Sequence, residues 1–336
     1  MVKAGVIGVG KMGISHLAIL GAHTDVQLVG VADSSKLMLD PIKRFSGLAC
    51  FTDYMQMINV AKPDAVVVAV PTKFHAAITK SLISRGIHVF VEKPFCLSPD
   101  EGRQLVEMAV QNKVFNQVGY HNKFVETFKE VKRIITSGSL GKIVHFVGEA
   151  YGPVVIRQKA ETWRTRSVEG GGCLMDYASH VIDLINDLLA PVSSIQGAQL
   201  KSVYSSGVED AVYSLMTLET GLTGVLSVNW SDETYRKMST TVTIIGTKGK
   251  IVCDSSELRV FFKEPPAITK YEPGWNVRYI TELAPSVDFY LRGEEYSSQM
   301  DYFIKGVQGL APNDINTFES AWKTDYAIHL IRSSLN

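Results

Sequence analysis

Gly8-Val9-Gly10-Lys11-Met12-Gly13 stands between a short apolar stretch, Lys3 to Ile7, and a helical pattern running from Lys11 to Leu20. That placement constrains the fold more than any other feature of the 336 residues. Gly8 permits a tight turn, Gly10 lets the backbone approach a bulky anion, and Gly13 lets helix and strand pack closely. The free amides at the helix N-terminus suit phosphate oxygens. Glycines recur in turns by chance, so the flanking strand and helix carry the signal.

The first 120 residues alternate strand and helix. Strands are expected at Lys3 to Ile7, Val26 to Ala32, Ala65 to Val70, Val89 to Glu92 and Val114 to Tyr120. Helices are expected at Lys11 to Leu20, Phe74 to Arg85 and Pro99 to Asn112. Ala65 to Val70 is almost continuously apolar, as befits a strand covered on both faces. The alternation predicts a doubly wound parallel sheet, a Rossmann domain over 1–120. Asp33 lies 20 residues past Gly13, at the end of the second strand. A carboxylate there accepts from both ribose hydroxyls of an NAD adenosine and repels a 2′-phosphate. NAD is favoured, and Ser34 and Lys36 keep NADP open. Pro71-Thr72-Lys73-Phe74-His75 follows the third strand on the same edge. Local physics alone makes Thr72 a helix cap and His75 a first-turn residue.

Glu92-Lys93-Pro94 ends the strand through Val89. Packing explains a Lys at that position poorly. Pro94 fixes its own φ and pushes Lys93 towards extended geometry, so the ammonium is held in one direction. In an open parallel sheet, ligands bind outside the carboxyl ends of the strands, where Lys93 sits.

Residues 121–336 are expected to form an α+β domain. A helix over Val125 to Thr136 and a strand over Ile143 to Tyr151 come first. Strands then follow at Ser194 to Val203, Ala211 to Leu218, Thr223 to Trp230, Thr240 to Ile245, Lys250 to Asp254 and Leu258 to Phe262. Gly221 and Gly246-Thr247-Lys248-Gly249 mark tight turns between neighbours, the pattern of a large, mostly antiparallel open sheet. Two helices close the chain, near Gln299 to Val307 and Phe318 to Arg332. The sheet has more apolar strands than these helices can cover, which predicts a homodimer or homotetramer through its exposed face.

Gly170-Gly171-Gly172 leads into an apolar helix carrying Asp176, His180 and Asp183 and ending near Leu189. Asp176 and His180 are four apart and share a helix face. A carboxylate beside an imidazole stabilises its charged form and fixes its tautomer, which suits a base for a hydroxyl proton. An isolated D-x-x-x-H is more often a surface ion pair. Leu174, Met175, Val181, Ile182 and Leu184 argue against a solvated face here.

Composition narrows the classes. Lys plus Arg and Asp plus Glu are both 34, so the balance gives no footprint for nucleic acid. No apolar run is long enough to span a bilayer, and no basic-then-apolar leader opens the chain. Four scattered cysteines lack metal-ligand spacing; a reduced, cytoplasmic protein without a metal is expected.

Taken together, these segments resemble the Gfo/Idh/MocA family of oxidoreductases. Gly8 to Gly13, Glu92-Lys93-Pro94, and Gly170 to Gly172 with Asp176 and His180 carry the resemblance. Gly119-Tyr120-His121-Asn122-Lys123-Phe124, Trp163-Arg164 and the Gly246 to Gly249 turn support it. It implies a Rossmann domain, a C-terminal open-sheet domain that often forms the oligomer interface, and a last helix, 318–332, packed near the Rossmann domain. It implies a catalytic set of Lys93, Asp176 and His180. NAD would be held by Gly8, Gly10, Lys11, Met12, Gly13, Asp33, Pro71, Thr72, His75, Glu92 and Lys93. Tyr120, Asn122, Trp163, Arg164 and Tyr235 are candidate walls for a polyol or sugar substrate. Arg164 and Arg166 are suited to a phosphate or carboxylate, and equally to a polar surface loop. The implied activity is hydride transfer between nicotinamide and a secondary hydroxyl or ketone of a sugar, cyclitol or sugar nucleotide. An NADP-dependent reductase and a non-catalytic dinucleotide-binding sensor are the alternatives. Many relatives carry two basic residues before Phe124, where this chain has Asn122-Lys123.

Overall fold

The computed structural model describes residues 1–157, 162–287 and 290–335. They fall into two compact units. The first comprises Met1–His121 and Ser286–Trp322; the second comprises Asn122–Pro285 and the residues from Lys323 on.

The first unit opens β1 (Val2–Ile7), α1 (Lys11–Ala22), β2 (Val26–Ala32), α2 (Lys36–Ser46), β3 (Cys50–Phe51) and α3 (Tyr54–Ala61). It continues β4 (Ala65–Val68), α4 (His75–Ile83), β5 (His88–Val91), α5 (Pro99–Gln111) and β6 (Asn116–Val118). The sheet runs β3-β2-β1-β4-β5-β6, with every pairing parallel. Strand order reverses at β1 and β4, where open α/β sheets hold their ligands. All four residues of β4 are buried, as the apolar run predicts. α2, β3 and α3 lie outside the elements expected from sequence. β3 is two residues long, too short to show a period, and α2, although amphipathic, carries Pro41, which reads as a helix breaker.

The second unit contains α6 (Glu126–Thr136), β7 (Ile143–Tyr151), α7 (Ser179–Leu188), β8 (Val192–Lys201), β9 (Ala211–Leu218), β10 (Thr223–Asn229) and β11 (Ser239–Gly246). β12 (Gly249–Cys253), β13 (Glu257–Phe262) and β14 (Gly274–Tyr279) complete it. Its sheet runs β14-β13-β12-β11-β7-β10-β9-β8. The β7–β10 pair is parallel and the others antiparallel. One face is covered: Val242, Ile244, Leu226 and Val260 are fully buried. A Cβ on Gly148 would lie 2.5 Å from Val181 Cγ1, so α7 packs directly onto β7. The other face leaves Tyr213, Leu215, Trp275, Val277 and Tyr279 exposed.

The C-terminal region divides differently from the expected 121–336 domain. α3, α4 and α5 share one core cluster on one face of the parallel sheet. Right-handed crossovers send α4 and α5 to the same side and leave the other face of β5 and β6 bare. α8 (Glu294–Val307) fills it. Its Met300, Phe303 and Ile304 cluster with α1, β1 and Phe90. The Phe303 ring centroid lies 5.7 Å from that of Phe90 and 5.9 Å from that of Phe115. Each such buried side chain contributes about 1.5–3 kcal/mol. In α9 (Phe318–Ser333), Phe318 stacks 4.5 Å from Phe95 and Trp322 Nε1 donates to the Pro99 carbonyl at 2.9 Å. The remainder of α9, from Lys323, belongs to the second unit. All four cysteines are free thiols. No helix among the described residues is long and apolar enough to cross a membrane.

Candidate active site

The glycine turn does what its spacing demands. Gly8 has φ 90°, and a Cβ on Gly13 would lie 1.9 Å from the Gly8 carbonyl oxygen. Only glycine lets α1 start that close to β1. Gly10, by contrast, has nothing within 4 Å of where a Cβ would stand. A backbone with open space at the α1 N-terminus is what a dinucleotide diphosphate needs, so the residues present fit that group. Lys11 is exposed and Met12 half-buried beside it. Asp33 reaches back across the cradle: Oδ2 accepts from the Val9 amide and Oδ1 from the Ser35 amide, both at 2.8 Å. Its carboxylate is thereby fixed, with lone pairs left for ribose hydroxyls.

The loop after β4 runs from exposed Pro71 into a 3-10 turn, Thr72–Phe74, before α4 begins at His75. Thr72 is buried and makes no capping bond to α4, so the expected cap is absent. His75 is 1% exposed, with both ring nitrogens against backbone carbonyls. It lies beneath the surface rather than along a cofactor wall.

β5 delivers Glu92 and Lys93, and the Lys93–Pro94 peptide is cis. Glu92 is buried and accepts from His16 Nε2 at 2.6 Å on Oε1, while Oε2 accepts from the Lys93 amide at 3.2 Å. Burial pushes the Glu92 carboxyl up, but the His16 bond and charge and the Lys93 charge outweigh it and hold the carboxyl below its usual range. Glu92 is thus an anion beside the half-buried Lys93. His16 lies three residues past Gly13 on the buried side of α1, where a lone imidazole on an apolar helix face is its only sequence signal.

After β6, Tyr120 is fully buried in the core of the first unit, and Asn122 is 3% exposed. Their side chains do not form an accessible wall in either unit. His121 between them is only partly buried and stacks on Tyr296, centroids 4.9 Å apart at 18°. Arg292 covers the Tyr296 ring at 5.0 Å and donates to Ser15 Oγ at 3.1 Å. Burial lowers the His121 pKa to about 4, the Lys93 and Arg292 charges adding to the effect and Glu92 opposing it. A neutral imidazole therefore stands on the Lys93 edge at physiological pH. Arg292 and Tyr296 come from the returning segment, which no local pattern ties to α1.

In the second unit, Gly171 is the hinge of the candidate base. A Cβ there would lie 2.4 Å from the Arg164 carbonyl oxygen, and the Gly171 and Gly172 amides donate to the Arg166 and Arg164 carbonyls at 3.0 Å. This close approach brings the Trp163–Thr165 turn against the helix start. Arg164 Nε then donates to Asp176 Oδ2 at 2.7 Å, and its guanidinium lies 4.8 Å over the Trp163 ring. The sequence makes Arg164 a candidate wall residue suited to an anion. Its fork is partly spent on Asp176, twelve residues away, outside the reach of helical periodicity.

The segment Leu174–Ala178 is a π-helix that passes into α7, not the regular helix expected. Asp176 lies in the widened turn and His180 in the first α turn, which changes the face they share. Ser179 Oγ donates to the Met175 carbonyl at 2.8 Å, one turn back. Asp176 and His180 are 1% and 4% exposed, against the surface-pair alternative. Asp183 faces Lys123, whose Nζ lies 2.8 Å from Oδ1. Tyr235 is 37% exposed in the turn between β10 and β11. The described residues hold no group of three or more His, Cys, Asp or Glu that could bind a metal ion.

A parallel sheet with an intact phosphate cradle, joined to a second unit on an open antiparallel sheet, defines a two-domain dinucleotide-binding protein. Residues 2–120 match the oxidoreductase family with an NAD-binding Rossmann fold, GFO_IDH_MocA, and residues 128–252 match the GFO/IDH/MocA C-terminal domain. The chain belongs to this family. It is 27% identical over 233 residues to the rhizopine catabolism protein MocA of Rhizobium meliloti, covering 67% of this chain and 70% of that protein. It is 27% identical over 199 residues to scyllo-inositol 2-dehydrogenase (NAD(+)) of Bacillus subtilis, covering 58% of this chain and 56% of that protein, little more than half its length. A levoglucosan dehydrogenase complex with NADH shares the fold at TM-score 0.87 and 20% identity, covering 99% of this chain and 96% of the other.

Proposed function

We propose that the chain is an NAD-dependent dehydrogenase acting on a secondary hydroxyl of a sugar, cyclitol or sugar nucleotide. The observation that carries this reading is the Asp33 carboxylate, pinned between Val9 and Ser35 across a cradle left open at Gly10. A relative named for scyllo-inositol and NAD, and a neighbour bound to NADH and named for levoglucosan, support the substrate and cofactor class. Bound NAD supplies the hydride acceptor. His180 takes the hydroxyl proton, and Asp176, paired with Arg164, lies in the turn that leads into it. Lys93, beside anionic Glu92, stabilises negative charge developing on the oxygen.

The test is NADH formation across a panel of D-glucose, methyl glucoside, levoglucosan, myo- and scyllo-inositol and UDP-N-acetylglucosamine. Turnover on none of these, with tight NADH binding, would favour a sensor. NADH is expected to bind at least about tenfold more tightly than NADPH, a difference of about 1.4 kcal/mol. Fluorescence titration showing the reverse preference would overturn the role given to Asp33.

The exposed face carrying Tyr213, Leu215, Trp275 and Val277 is read as the contact between copies of this chain. Light scattering is expected to give at least twice the chain mass, and a stable monomer would rule the contact out.

A further inference from the structure

His75 has no part in the chemistry proposed above, yet its geometry is specific. It opens α4, and its Nε2 lies 2.9 Å from the Val70 carbonyl oxygen in the loop after β4. On the other side, Nδ1 lies 2.9 Å from the Pro94 carbonyl oxygen and 3.3 Å from that of Phe95, in the loop after β5. β4 and β5 are adjacent parallel strands. One buried imidazole therefore bridges the carboxyl-end loops of neighbouring strands, and the second loop carries Lys93.

We propose that His75 is a positioning residue for Lys93: the ring ties the peptide following Lys93-Pro94 to the β4 loop and so fixes where the ammonium points. The inference rests on the reading of Lys93 as a catalytic residue. Burial sets the ring against backbone with no surface left for nicotinamide, which separates this role from cofactor contact. Carbonyl oxygens only accept, so the ring donates to both loops when it carries both N–H protons and to one of them when neutral, the other nitrogen then resting against the second loop by packing alone. Burial pulls its pKa down, against the three carbonyls and the Glu92 charge. A bond of this kind acts through orientation, where a small displacement of a reacting group is costly.

The experiment compares wild type, H75A, H75Q and K93A on the best substrate of the panel. The readouts are kcat at saturating NAD, the Kd for NADH by fluorescence, the melting temperature and amide exchange over residues 92–97. H75A is expected to lose about 10- to 100-fold in kcat, with NADH binding unchanged within about twofold and faster exchange over 92–97. H75Q, which keeps an amide donor, is expected to recover part of kcat. A Kd for NADH weakened tenfold or more with kcat retained would make His75 a cofactor contact and overturn the proposal. Wild-type kcat in H75Q and H75A would overturn it too. If H75A does not fold, H75Q decides: wild-type kcat, or failure to melt cooperatively, counts against the proposal. Full turnover in K93A would instead remove the catalytic reading of Lys93 and take the inference with it.

Discussion

Replacing His180 with alanine is expected to lower kcat by about 10²- to 10⁴-fold, the usual contribution of a positioned general base. NADH affinity is expected to change by less than about twofold, because the cradle, Asp33 and Glu92 all belong to the first unit and His180 to the second. His180 is 4% exposed, it starts the regular part of α7, and the turn before it holds Asp176 against Arg164. Lys93→Ala is expected to fall within the same range through loss of charge stabilisation on the substrate oxygen. If both groups act only in the transition state, kcat and kcat/KM should fall by equal factors. Steady-state kinetics on the best panel substrate, with melting curves to exclude unfolding, would measure this. Either variant turning over at near wild-type rate would dismiss its assigned role.

The parts of this architecture legible in the sequence are those made by near neighbours. The glycine turn, the spacing to Asp33, the buried run of β4 and the bounds of β9 all follow from periods of two or 3.6 and from turn chemistry. Arg164 reaching Asp176 depends instead on the close approach at Gly171, which only the folded backbone shows. The π turn at Leu174–Ala178 leaves the apolar pattern of a regular helix intact, so the pattern cannot reveal it. α8 reads as an ordinary amphipathic helix. That it covers β5 and β6 follows from the handedness of the α4 and α5 crossovers, a property of topology and not of its own residues. The stack of His121, Tyr296 and Arg292 inherits that long-range placement. Likewise β14 shows Trp275, Val277 and Tyr279 in alternation, but glycines and prolines around it hide a strand that only β13 completes.

The largest stability effect is expected at Lys123. Its Nζ lies 2.8 Å from Asp183 Oδ1, with the two side chains 4% and 1% exposed. Burial pushes the Asp183 carboxyl up to about 6 although Lys123 pulls it down, so the ion pair does not fully offset the desolvation of the carboxylate. A carboxyl whose pKa is raised on folding adds stability that is complete below its unfolded value, near 3.8, and is lost as pH rises through about 6. Lys123→Met removes the charge that restrains this shift and drives the carboxyl higher still. The variant should therefore lose about 3–5 kcal/mol at pH 7 and distinctly less at pH 5, where Asp183 takes up a proton. Its stability should fall with rising pH by up to about 1.4 kcal/mol per unit while the carboxyl stays protonated in the folded state only. The double variant K123M/D183L, which replaces both charges with apolar groups, should recover most of the loss, because neither partner is then left buried and unpaired. Urea unfolding at pH 5, 6, 7 and 8 would measure all three. A loss below about 1 kcal/mol at pH 7, or one that does not vary with pH, would show that Asp183 finds adequate compensation without Lys123.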